Sequence, residues 1–183
     1  MDGVDKDYKK ATIIYEEILK SEIKDEQPQG HILYLLGYTY CCGYAEEIDF
    51  IKGYNYIKES ANLGYESAKK LVDEVNKKGL AKTFIGFDQL MLFDKSNVEN
   101  VVSGKELKIF QVLDSSFALA TIHEDYSYVV AFLIGTHYDY FYDDQKIKVP
   151  CGKQIKQIGI YRYETKDGII KTVPAVAIKK IEF

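Results

Sequence analysis

Tryptophan is absent from this chain of 183 residues, arginine occurs once at Arg162, and cysteine, proline and histidine occur three times each. Cys41 and Cys42 are adjacent, so a bridge between them is strained, and Cys151 is an odd third. That usage excludes a disulfide framework and points to a reducing compartment. There is no glycine-rich phosphate loop, no His-Glu-x-x-His and no Cys-x-x-Cys pair, so the short motifs of nucleotide and zinc sites are missing. No apolar run approaches the roughly 18 residues of a membrane span. Met1 to Lys10 is charged and lacks the apolar centre of a secretory signal, so a cytoplasmic location without membrane contact is expected. The net charge of -4 excludes a strongly basic nucleic-acid binder.

What the chain does have is tyrosine, 16 residues beside 9 phenylalanines. Tyrosine buries a large ring while keeping a polar tip, which suits both cores and recognition surfaces. Hydrophobic content of 46% and charged content of 28% are those of an ordinary globular protein. The length fits one domain or two small ones.

Helical periodicity fills the first half. Residues Asp5 to Lys24 predict a first helix, with Ala11, Ile14, Tyr15 and Ile18 inward and Lys9, Lys10, Glu16, Glu17 and Lys20 in water. Asp25 to Gly30, containing Pro28, reads as a break. Leu33, Leu36, Gly37 and Tyr40 then form one stripe at i, i+3, i+4 and i+7. Gly37 within that stripe weakens the helix, which makes sense where a neighbouring backbone passes close by. Phe50, Tyr54, Ile57 and Ala61 form a second stripe. Asp49 is placed to cap that helix and Gly64 to end it in a left-handed conformation. The link from Gly43 to Ile48 is short enough to impose an antiparallel hairpin. Tyr65 to Lys78 predicts a fourth helix, stopped at Gly79.

The order and spacing of Leu36, Gly37, Tyr40, Gly43, Asp49, Lys52, Ala61, Leu63, Gly64, Ala68 and Leu71 resembles one Sel1-like repeat, a helical-hairpin relative of the tetratricopeptide repeat. Two positions depart from that pattern, with Ala45 where a glycine is usual and Gly53 where an alanine is usual. The resemblance implies a protein-interaction module. In such arrays the first helix of the hairpin lines a groove that holds a peptide or a partner helix. Tyr34, Tyr38 and Cys41 border that face and are the partner-binding candidates.

The second half carries β signals. Thr83 to Asp94 is an apolar stretch, read as a buried connector, and Lys95 to Lys105 as polar loop. Leu107 to Leu113 and Phe117 to Ile122 predict strands around a turn at Asp114-Ser115. Tyr128 to Ile134 is continuously apolar, as a strand covered on both faces would be. Tyr138, Tyr140 and Tyr142 alternate, and Lys146 to Val149 reads as a half-exposed strand. Gln157 to Glu164 and Ile169 to Val173 flank Lys166-Asp167-Gly168, a hairpin signal. Pro174 is expected to bend the path before a last strand from Ala175. The reading is therefore an α+β protein. It has a helical domain over residues 1–80, a connector and loop over 81–104, and a small all-β sheet or barrel of SH3-like or OB-like type over 105–183.

Three chemical readings compete. A non-catalytic adaptor with a protein partner and no cofactor is preferred. The alternative is single-stranded nucleic-acid binding by Lys146, Lys148, Tyr161, Arg162 and Tyr163, where charge would meet the backbone and rings would stack on bases. Against it, residues from Thr83 onward hold 12 basic and 13 acidic side chains. A hydrolase comes third. His123 lies near Ser115 and Ser116 in sequence without a nucleophile elbow, and His137 with Asp139 supplies too few ligands for a metal.

Overall fold

A computed structural model describes residues 7–21, 26–45, 47–93, 100–102, 104–123 and 128–181. The chain divides into two compact units, Met1–Phe84 and Ile85–Phe183. The first holds helices α1 (Tyr8–Lys20), α2 (Glu26–Cys41), α3 (Phe50–Asn62), α4 (Glu66–Lys78) and α5 (Leu80–Phe84). The second holds strands β1 (Leu90–Leu92), β2 (Asn100–Val102), β3 (Glu106–Asp114), β4 (Phe117–His123), β5 (Tyr128–Ile134), β6 (Lys146–Lys148), β7 (Lys153–Glu164) and β8 (Ile170–Lys180). The fold class is α+β.

In the helical unit α2 and α3 run antiparallel, since Gly30 meets Ser60, Gly37 meets Gly53 and Ile57, and Cys41 meets Phe50. Their crossing depends on two missing side chains. A Cβ on Gly37 would lie 2.6 Å from the Gly53 carbonyl oxygen, and one on Gly53 would lie 2.5 Å from Cys41 Sγ. Gly53, one of the two departures from the repeat pattern, is therefore the counterpart of Gly37. The Asp49 carboxylate accepts from the Lys52 amide at 2.9 Å and caps α3, and Gly64 follows its end at φ +88°. The inward stripe of α3 is Phe50, Gly53, Ile57 and Ser60, shifted from the expected one, with Tyr54 and Ala61 half-buried.

The expected break at Asp25 to Gly30 is corrected. Helix α2 begins at Glu26 and runs through both Pro28 and Gly30. Pro28 falls in the first turn, where a missing N–H removes no intrahelical bond. Gly30 is buried, and its carbonyl accepts from the Ser60 hydroxyl. On α1 two placements reverse: Ile14 is exposed, whereas Glu16 is half-buried.

The β unit forms one sheet in the order β1-β7-β8-β5-β4-β3-β6, with β2 also on β7. All ladders are antiparallel except β5 with β8, which pair in parallel through Phe132 with Ala175 and Leu133 with Val176. The pairing path is open among the described residues, yet the sheet is strongly coiled. A Cβ on Gly104 would touch both Ile122 of β4 and Ile155 of β7, strands three places apart, which a flat sheet would hold about 14 Å apart. Leu107, Ile109, Ala120, Ile122, Leu133, Ile155 and Val176 fill the enclosed face. Phe132 lies on the opposite face among Phe87, Phe117 and Tyr161. Tyr128 to Ile134 is thus covered on both faces from Ala131 on, as its composition predicts.

Three further expectations are corrected. The stretch 81–104 is not a connector and loop. It contains all of α5 but its first residue, a helix that belongs to the helical unit, and β1 and β2, which both pair with β7. Residues 94–99, the last of the predicted connector and the start of the predicted polar loop, lie outside the described residues. The tyrosine alternation at 138–142 does not form a strand, because Asp139 turns the chain by accepting from both the amide and the hydroxyl of Thr136. Pro174 does not divide the last strand. It sits within β8, close to a bulge at Gln157 to Gly159 and one residue before pairing with β5 begins.

Candidate protein-binding surface

The tyrosines of α2 carry the surface. His31, Tyr34 and Tyr38 succeed one another at i, i+3 and i+7, so they share one face. Tyr34 lies 6.2 Å from Tyr38 and 5.3 Å from Tyr65, His31 stacks on Tyr65 at 5.3 Å, and Phe84 meets the Tyr38 ring edge-on at 6.2 Å. The result is an aromatic strip along the helix, with Tyr38 42% exposed. A groove of about 370 Å³ opens beside it between Tyr8, Tyr15, Leu35, Tyr38 and Tyr44. At the other end a groove of about 900 Å³ is bordered by Pro28, His31, Leu63 and Tyr65.

Tyr34 and Tyr38 carry no charge at neutral pH. The neighbouring Cys42 sulfur, helped by burial, pushes the Tyr38 phenol up to about 12. Burial raises the Tyr34 phenol above its ordinary value, and lifts the Cys42 thiol to about 11 against the lowering effect of the Tyr38 hydroxyl. These groups offer rings and neutral hydrogen bonds without a thiolate or phenolate nucleophile. Cys41, the third sequence candidate, must be withdrawn. It is 1% exposed, its thiol reaches the Phe50 carbonyl at 3.7 Å, and burial raises its pKa well above the usual range. Cys41 follows Tyr38 by three residues, yet its side chain meets α3 at Gly53.

Behind the strip lies a polar lock that sequence reasoning missed. Lys52 of α3 donates to Glu16 of α1 at 2.9 Å and to the Tyr40 hydroxyl at 2.7 Å, and that hydroxyl donates to Glu16 at 2.7 Å. Burial opposes the Glu16 charge, but its bonds from Tyr40 and Lys52 hold the carboxyl below the ordinary value. Tyr40 rises to about 12, mainly through burial. The partners are 12, 24 and 36 residues apart, so no local pattern joins them.

Of the nucleic-acid candidates, Tyr161, Arg162 and Tyr163 line one groove, and Lys146 and Lys148 are not part of that lining. Tyr161 is 7% exposed and stacks on Phe132 at 4.2 Å, so its ring is unavailable to a base. Tyr163 is half-buried beside it at 6.4 Å, whereas Arg162, exposed, alternates to the other face of β7. Lys146 and Lys148 stand on β6, at the far end of the strand order, with Lys146 3.8 Å from Glu106. The groove of about 520 Å³ along Tyr161 and Tyr163 is also lined by Arg162, Gln111, Leu119 and Glu164, so its single cation sits beside a carboxylate.

The catalytic alternatives separate as well. His123 ends β4, where its ring meets the Thr121 hydroxyl at 3.1 Å. Ser116 precedes the other end of that strand, about 20 Å away, and donates to the Asp139 carbonyl. The Asp139 carboxylate is committed to Thr136, and no group of three metal-ligating side chains occurs among the described residues. No described helix is long and apolar enough to cross a membrane. No protein-family model, curated protein or solved structure matches the chain.

Proposed function

We propose that the protein is a non-catalytic interaction module whose helical unit, read as Sel1-like, binds a short segment of a protein partner along α2. The observation that carries this reading is the uncharged aromatic strip of half-buried Tyr34 and exposed Tyr38 between two grooves. Tyrosines so placed give large contact area with few rotors to immobilise. From His31 to Tyr38 the strip spans about 10 Å, room for about three residues of extended peptide. Affinity per site is therefore modest, in keeping with an adaptor.

Capture of a stoichiometric protein partner by the full chain tests the reading. Binding should weaken about tenfold or more on Tyr38→Ala and persist on Lys148→Glu. A partner indifferent to Tyr34→Ala and Tyr38→Ala together would sink the proposal. Salt-sensitive binding of single-stranded oligonucleotides, weakened by Arg162→Ala, would favour the alternative.

A further inference from the structure

We infer that the loop from Thr136 to Gln145 in the β unit is a second docking surface, built for an extended, arginine-bearing segment of a protein partner. The loop has no regular secondary structure, yet it is pinned along its length. Asp139 accepts from Thr136, the Phe141 amide donates to the Ser115 carbonyl at 2.8 Å, and Asp143 accepts from the Val112 amide at 2.9 Å. The Asp144 amide donates to the Ile109 carbonyl, and the Gln145 carbonyl accepts from the Ile109 amide.

Within this frame the side chains sort by parity. Phe141 turns in against the core, while Tyr138, Tyr140 and Tyr142 turn out, the last two 73% and 64% exposed. Phe110 leaves β3 next to the anchored Ile109 and is exposed too. Phe110, Tyr140 and Tyr142 are thus large rings held outward on neighbouring segments, exposed apolar area of the kind that partners cover, while Tyr138 meets the His137 ring at 5.6 Å. Because the backbone beneath them is already fixed, a partner immobilises little on binding, as at a preorganised recognition loop.

Charge selects the partner. Residues 136–145 contain Asp139, Asp143 and Asp144 and no lysine or arginine. Asp139 is used within the loop, and Asp143 keeps one oxygen on the Val112 amide, yet both Asp143 and Asp144 are exposed at its end. Asp144 meets Lys108 at 2.8 Å in an exposed pair, which contributes little and is readily exchanged. Phosphates and acidic peptides are disfavoured at such a rim. A guanidinium is suited to it, since its plane stacks on a phenol ring while its N–H fork meets a carboxylate. This surface belongs to the β unit and the α2 strip to the helical unit, so each unit carries one candidate site.

The test is titration of the full chain with a fluorescent arginine-glycine repeat peptide, followed by anisotropy. Saturable binding is expected, weakened about tenfold or more by Tyr140→Ala with Tyr142→Ala. Asp144→Asn should weaken it several-fold, since asparagine also tolerates the φ of +64° found there. The pair Tyr34→Ala with Tyr38→Ala should leave it unchanged, which separates this surface from the helical one. Failure of the peptide to saturate, equal binding of a glutamate-glycine peptide, or indifference to the Tyr140 and Tyr142 variants would each overturn the inference.

Discussion

The two units reach close packing by opposite means. In the helical unit the central contact is made by removing side chains, Gly37 against Gly53, and is reinforced by a polar lock at Glu16, Tyr40 and Lys52. In the β unit it is made by adding them, with aliphatic residues alternating into one enclosed face and rings into the other. A contact that depends on absent atoms is broken by the smallest addition. One that depends on bulk is broken by deletion. The helical unit should therefore be sensitive to added volume and to pH, and the β unit to cavities.

The largest expected effect tests the β side of this contrast. Phe132 is fully buried among Phe87, Phe117 and Tyr161, so Phe132→Ala should destabilise that unit by about 3–5 kcal/mol. Hydrogen exchange followed strand by strand would show β4, β5 and β8 opening while α2 and α3 keep their protection. Next comes Gly53→Ala, a gain of one methyl group. With Cys41 Sγ at 2.5 Å and the Gly37 carbonyl at 2.6 Å from the new atom, the helices must separate. About 1–3 kcal/mol of the helical unit's stability is lost, although alanine is the better helix former. Retained thermal stability of α2 and α3 in that variant would erase the distinction between the units.

How much of this was legible beforehand follows the same division. Alternating and continuous apolar strands announce themselves within a few residues, so β3, β4 and β5 are readable near their observed bounds. The hairpin was readable from Gly37, Asp49 and Gly64. The significance of Gly53 was not, because a glycine in a helix looks like a weakness until the facing backbone is known. Pro28 and Gly30 looked like a break for the same reason, since position within the first turn and burial against Ser60 decide their effect. β1 and β2 are three residues each and exist through pairing with β7, a partner more than 50 residues on. Of the site candidates, Tyr34 and Tyr38 fell on one surface, while Cys41 and Tyr161 proved to be core. Side-chain chemistry does not tell an outward tyrosine from an inward one.

Titration sharpens the comparison. Cys42 rises to about 11 through burial, Tyr40 to about 12 mainly through burial, and Tyr38 to about 12 beside Cys42. Burial works against the Lys52 charge, but Tyr40 and Glu16 raise its pKa overall. Each of these groups holds its proton more tightly when folded. Their stabilisation is complete below their ordinary values and is lost as pH rises from about 9 toward 12. On the acid side Glu16 is depressed, so its contribution is present above the ordinary carboxylate value of about 4.3 and is lost as pH falls through its lower one. In the β unit Tyr161 is the one described group raised. Helical dichroism should therefore decline in alkali before strand amides lose exchange protection, and simultaneous loss would show that the lock does not govern the helical unit.

The smallest effect concerns how α3 begins. The Asp49 carboxylate satisfies the Lys52 amide, one of the orphan donors of the first turn, and Lys52 is also the cation of the lock. Asp49→Ala should remove about 1 kcal/mol from the helical unit and leave the β unit unchanged. Asp49→Asn should restore most of the loss, because asparagine caps as well without charge. The alternative is that the carboxylate acts through its charge on nearby Lys52, in which case asparagine would behave like alanine. Chemical denaturation of the three proteins decides between them. It also asks whether the lock depends on where α3 starts, since a fraying first turn would loosen the backbone that carries Lys52 toward Glu16.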